Sequence, residues 1–206
     1  MAEPFKRLTG IAAPIVEDDV DTDVIYPARF LVLMEKQGLG RYLFHDRRFG
    51  PDGTRKADFV LNREPYAAAT ILISRDNFGS GSSREHAVWA LADYGIRCVI
   101  ASSFGEIFAA NCVRNGILPA RVPRSAVQPL AEQAERGPFT VDLVRQSIDL
   151  PDGVSVPFSI APSDRESLLN GWDDIDRILA LESDAIERFE ADRAARFPWL
   201  YQDRMQ

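Results

Sequence analysis

Residues 77–87 read "NFGSGSSREHA" and gather Gly79, Gly81, Ser82, Ser83, Arg84 and His86 between a β-branched run and a stretch of helix composition. Glycines let a backbone come close to a ligand, free amides at a helix start attract anions, and an arginine can hold a carboxylate with two parallel hydrogen bonds. The stretch is therefore built to receive an acid. The spacing excludes three other uses: the glycines do not complete G-x-G-x-x-G, no Gly-Lys-Ser/Thr closes a phosphate loop, and no serine stands between glycines as in G-x-S-x-G.

A capping role accounts for part of the pattern, since Ser82 with Glu85, and Ser103 with Glu106, have capping-box spacing. It leaves the two glycines, the second serine and the arginine without a purpose. A serine alkoxide acting as a base is the chemical alternative. An alcohol lies roughly six pKa units above neutrality, about 8 kcal/mol at 1.36 kcal/mol per unit, and a helix terminus supplies at most ~2 kcal/mol. The rest must come from the arginine, from exclusion of water and from a further cation, so this loop on its own is half a catalyst. His86 is four residues after Ser82, but with no third group to orient it a packing role is expected; His45, in "FHDRRF", is also read as structural.

The elements that must carry the loop are legible in the middle of the chain. "AATILISR", "IRCVIA" and "ILPARV" read as strands, and "SSREHAVWALADY" and "EIFAANCVRN" as helices stopped by Gly95 and Gly116. This is a parallel β-α-β-α-β core of an α/β fold. The first thirty residues read as strands and loops without helix, and residues 31–66 as irregular connection with one short helix. After a helix at "SAVQPLAEQAERG", the runs "FTVDLVRQSIDL" and "VSVPFSIA" flank "PDG" as an antiparallel hairpin. Amphipathic helices follow at "SDRESLLNG" and "DAIERFEADRAARF", the latter placing Ile186, Phe189 and Ala194 near one face. No linker divides the chain, so a single domain over 1–206 is expected.

Composition narrows the partners. With 206 residues, 46% hydrophobic and 27% charged, the chain is globular, and at net charge −7 with 21 scattered arginines and three lysines it offers no stripe for nucleic acid. No apolar run approaches the roughly 18 residues of a membrane helix, and a cytoplasmic protein is expected. Cys98 and Cys112 sit in apolar contexts and are read as buried free thiols, too few to hold an iron–sulfur cluster. The acidic run "EDDVDTD" begins like a calcium loop, but Val24 stands where that loop needs glycine and Phe30 where it needs glutamate, so no metal is assigned.

Taken together, "VDTDVIYPARFL", "NFGSGSSREHA" and "FGEIFAANCVRNGILP", with "FHDRRF" and "LLNGWDDID", resemble the small-subunit family of 3-isopropylmalate dehydratase in the aconitase superfamily. The resemblance implies a swivelling β/β/α domain that pairs with a large subunit carrying a [4Fe-4S] cluster, and isomerisation of 2- and 3-isopropylmalate by dehydration and rehydration in leucine biosynthesis. It implies Ser82 as the base that removes the carbon-bound proton, Ser83 and Arg84 as substrate-binding residues, and the iron as Lewis acid on the departing hydroxyl. It also puts Ile25–Leu33 near the substrate's variable side chain, with Asp23 and Arg29 as further candidates, and Gly79 and Gly81 as support for the loop. Two other readings stand beside it: a paralogue acting on another 2-substituted malate, and a non-catalytic dicarboxylate-binding module. Where the family continues "LLNG" with leucine and "DDIG", this chain has Trp172 and Asp176.

Overall fold

In the computed structural model, which describes residues 3–33, 35–81 and 84–200, the two N-terminal strands β1 (Arg7–Gly10) and β2 (Ala12–Pro14) part to different sheets. β2 pairs in parallel with β3 (Ile71–Ile73), β3 with β4 (Cys98–Ala101), and β4 with β5 (Leu118–Arg121), in the order β2-β3-β4-β5. The expected parallel core is present, with β2 added as a fourth strand. Pro14 and Pro119 fall on the two edge strands, where a residue without an N–H costs no ladder bond.

Alternate residues of the parallel strands serve two cores, which is why these strands are apolar throughout. Ala13, Leu72 and Val99 pack against the helices α3 (His86–Tyr94) and α4 (Glu106–Arg114), together with Tyr26, Leu43, Phe44, Phe78, Phe108 and Cys112. Ile71, Ile73, Cys98, Ile100 and Leu118 face the other way, toward α5 (Arg124–Gln133) and the second sheet.

That second sheet differs from the expected hairpin. "FTVDLVRQSIDL" is two strands, β6 (Phe139–Asp142) and β7 (Ser147–Asp149), and with β8 (Ser155–Pro157) they form an antiparallel meander to which β1 adds, in the order β1-β6-β7-β8. The turn between β6 and β7 puts Gln146 at φ 53°, a left-handed conformation taken by a residue with no turn signature.

The first of the two N-terminal expectations needs correction, while the one short helix expected within residues 31–66 is present. Residues 22–25 form a turn of helix, α1 (Thr22–Ile25), capped by Asp21, and residues 31–66 hold α2 (His45–Arg48) and two 3-10 turns, Gly40–Tyr42 and Val60–Asn62. Four residues are too few to show helical periodicity.

At the C-terminal side α6 (Pro162–Asn170) is followed by α7 (Asp174–Arg196), which starts ten residues before the expected helix. The reason is a reciprocal cap: Asp173 Oδ1 accepts from the amides of Ile175 (2.9 Å) and Asp176 (2.8 Å), while Asp176 accepts from the Asp173 amide (3.2 Å). Asp176 thus has a local use. No residue of α7 is buried, and Ile175, Ile178, Leu179 and Phe189 are each more than half exposed. Among the described residues, no helix is long and apolar enough to cross a membrane.

Candidate active site

Three loops leave the C-terminal ends of the parallel strands side by side, the place where open α/β sheets bind ligands. The loop after β3 lies between the other two and is tied to both by backbone bonds. Toward the loop after β2, the Asp19 amide donates to Asp76 O (2.9 Å), Gly79 to Val20 O (2.7 Å) and Thr22 to Ser80 O (2.9 Å). Toward the loop after β4, Phe78 donates to Ser103 O (3.1 Å) and Gly105 to Phe78 O (3.0 Å). The stretch 76–80 therefore runs almost as an extension of the sheet, and its geometry is fixed by backbone rather than by side chains.

The glycines have different reasons. Gly79 has φ +75°, and a Cβ there would come 2.1 Å from the Phe108 ring, which packs edge-on to Phe78. Gly81 has φ +91°, and among the described residues there is ordinary space around it, the nearest would-be contact being Asp21 Cβ at 3.6 Å. Conformation alone requires glycine at 81; conformation and space both require it at 79.

The acidic run, which failed as a calcium loop, turns out to anchor this arrangement. Glu17 accepts two bonds from Arg47 (2.8 and 2.9 Å), Asp18 accepts two from Arg124 (2.6 and 3.0 Å), Asp19 accepts from Asn77 Nδ2 (2.7 Å), and Asp21 caps α1 through the Val24 amide (2.7 Å). Asp23 pairs with Arg84. Arg124 also reaches Asp76, whose other oxygen accepts from Ser102, and its guanidinium lowers the pKa of Asp18. Nothing in the local sequence announces these partners, which lie up to 106 positions away. Among the described residues, no group of His, Cys, Asp or Glu could hold a metal ion.

Of the residues singled out from sequence, the structure brings Gly79, Gly81, Asp23 and Arg84 together. Ser82 and Ser83 lie outside the described residues. Of the two capping-box patterns, the one that begins at Ser82 falls outside the described residues, and the one at Ser103 is replaced by another bond. α3 starts after Glu85, whose carboxylate accepts from Asn115 Nδ2 (2.7 Å), and α4 starts after Gly105, while Ser103 Oγ accepts from the Asn77 amide (2.8 Å).

Arg29 is placed in a second cluster. Its guanidinium forks onto Asp46, with Nη1–Oδ2 at 2.9 Å, contacts His45 Nδ1 at 3.1 Å and lies over the Phe30 ring at 4.5 Å. Arg29, His45 and Asp46 line a cleft of about 530 Å³ with Phe49 and Lys56. Rings link the two clusters: His86 stacks on Tyr26 (6.0 Å), Tyr26 meets Phe30 (6.1 Å), and Phe30 meets His45 (4.9 Å). His86 packs as expected, but its Nε2 is buried with no hydrogen-bond partner among the described residues.

The Arg29 guanidinium, and then His45, hold the Asp46 carboxyl down to about 2. A depressed folded-state pKa gives stability that is present above the ordinary carboxylate range and is lost as pH falls through it. Because the Asp46 side chain is 62% exposed, solvent screening reduces the effect well below the shift's face value. Asp46→Asn is expected to cost less than about 1 kcal/mol at pH 7, and the gap between variant and parent should close as pH falls from roughly 4 toward 2. Urea denaturation of both proteins across that range measures it.

Cys98 and Cys112 are fully buried free thiols on β4 and α4, and burial raises both pKa values. A cluster needs accessible thiolates, so the cysteines of this chain do not fit as its ligands.

Comparison with known proteins agrees with this geometry. The family model of the aconitase C-terminal domain matches residues 2–125. The 3-isopropylmalate dehydratase small subunit of Rhodospirillum centenum is 53% identical over 200 residues, covering 96% of this chain and 98% of that protein. The protein of the same name from Gluconacetobacter diazotrophicus is 52% identical, covering 96% of each. A crystal structure of 3-isopropylmalate dehydratase from Methanocaldococcus jannaschii superposes with a TM-score of 0.65 at 23% identity, over 88% of this chain and 99% of that one, and supports the fold. Near-complete coverage at half identity, on a fold of the aconitase C-terminal type, means that this chain belongs to the small-subunit family of 3-isopropylmalate dehydratase.

Proposed function

We propose that the chain is the small subunit of a hydro-lyase that interconverts 2- and 3-isopropylmalate in leucine biosynthesis, and that the 76–84 loop is its contribution to the active site. The observation that carries this is the pairing of a backbone-fixed, glycine-shaped loop with Arg84 at the carboxyl edge of a parallel sheet. Arg84 takes a substrate carboxylate, Ser83 adds a hydrogen bond, and Ser82 removes the carbon-bound proton as an alkoxide and returns it on rehydration. The segment 25–33, which starts two residues after Asp23, meets the substrate's variable side chain, with Arg29 at its middle.

In this reading the large subunit completes the site and carries the [4Fe-4S] cluster, for which this chain has no suitable thiolates. The reaction is placed in the cytoplasm. Substrate choice is tested by kcat/KM of the assembled pair for isopropylmalate, citramalate and dimethylmalate. A preference of at least tenfold for isopropylmalate is expected; a preference for either smaller acid would assign the chain to a paralogous dehydratase, and tight dicarboxylate binding without turnover of any of the three would make it a binding module.

A further inference from the structure

We infer that Asp23 is the positioning residue for Arg84, orienting the arginine for the substrate without itself binding the substrate; this rests on the function proposed above. The ion pair uses one end of the guanidinium only, Arg84 Nη1 to Asp23 Oδ1. No bond to a described residue engages Nε or Nη2, the edge that could meet a carboxylate with two parallel hydrogen bonds. Asp23 therefore tethers the guanidinium at Nη1, and among the described residues nothing occupies its recognition edge.

Asp23 is well placed for this because it moves with the loop. It sits in the first turn of α1, whose cap is Asp21 and whose backbone is bonded to the loop through Thr22 N–Ser80 O at 2.9 Å, beside the parallel Asp21–Ser80 bridge. Residues 61 positions apart in the chain are thus set in register by main-chain bonds. The pair is also not there for stability: the Asp23 side chain is 53% exposed, and exposed ion pairs contribute little.

Charge argues against the aspartate as a ligand. An ionised carboxylate only accepts hydrogen bonds, and it repels a dicarboxylate. The one substrate group it could serve directly is the hydroxyl, which makes the two roles separable. Without Asp23, Arg84 still attracts the substrate, more strongly than before, but no longer holds it in the reacting geometry; binding survives and turnover does not.

The test uses the chain assembled with its large subunit, as parent, Asp23→Asn, Asp23→Glu and Arg84→Gln. Size-exclusion chromatography confirms assembly. Turnover of isopropylmalate is measured, along with inhibition by 2-isopropylsuccinate, which lacks the hydroxyl. For Asp23→Asn, kcat should fall at least tenfold while KM and the inhibition constant stay level or drop, and Asp23→Glu should recover part of kcat. A tenfold rise in KM with an unchanged inhibition constant would overturn the inference and make Asp23 a ligand of the hydroxyl; unaltered kcat and KM would overturn it too. Arg84→Gln separates the levels: if it is fully active, the proposed function itself fails, whereas an inactive Arg84→Gln beside a fully active Asp23→Asn removes only the positioning role.

Discussion

Ser82→Ala is expected to lower kcat for isopropylmalate by about 10²–10⁴-fold, the range for removing a positioned acid–base group, while the variant still folds and joins the large subunit. Chemistry sets the size of the loss, and the His86 ring is held in packing between Tyr26 and Trp89, with ring separations of 6.0 and 4.7 Å. The structure supplies the reason that folding should survive. A serine that capped α3 through a box with Glu85 would cost helix stability when removed, but Glu85 is bonded to Asn115, and the helix begins after it. Steady-state turnover beside a thermal melt separates the two effects. A melt lowered as much as a lost cap requires, with turnover intact, would return Ser82 to a capping role.

Gly79→Ala should have the larger effect on stability. Its Cβ would fall 2.1–2.5 Å from three atoms of the Phe108 ring, and Phe108 is a buried member of the core against α3. The alanine must also hold φ +75°. Left-handed strain and overpacking together come to roughly 2–5 kcal/mol, enough to move a midpoint in chemical denaturation plainly. Relief is possible only by shifting the loop away from α4, which would break the Gly79–Val20 and Gly105–Phe78 bonds that set its register. Displacement on the order of 1 Å can cost 10²-fold in rate, so activity should fall even where the variant is fully folded. Gly81→Ala is the control: it has the same class of backbone conformation but room for a methyl group, and strain alone predicts about 1–2 kcal/mol.

What could be read from the sequence follows a physical division. The core strands and α3 and α4 were legible because burial on both sheet faces makes strands apolar throughout, and because Gly95 and Gly116 stop the helices in left-handed conformations. α1 was not, and α2 could be expected only as a short helix without a fixed place in residues 31–66, since one turn of helix leaves no period. The β6–β7 turn was missed because Gln146 carries the positive φ usually given to Gly or Asn. At the site, Gly79, Gly81 and Arg84 could be singled out by residue type and spacing. The pairings that support them could not: Asp23 with Arg84, Asp18 with Arg124 and Arg29 with Asp46 join residues that nothing in the local sequence connects. Arg29 shows the consequence, since it is already paired with Asp46 and must share or leave that carboxylate to touch a substrate.

The central claim is that this chain provides one half of an active site. The most direct test is to purify it and a cluster-loaded large subunit separately and to measure conversion of 2-isopropylmalate by each alone and by the mixture, following the unsaturated intermediate by its absorbance. Neither chain alone should turn over, the mixture should, and Arg84→Gln in this chain should silence the mixture. Full activity of the large subunit by itself, or a mixture indifferent to Arg84, would contradict it.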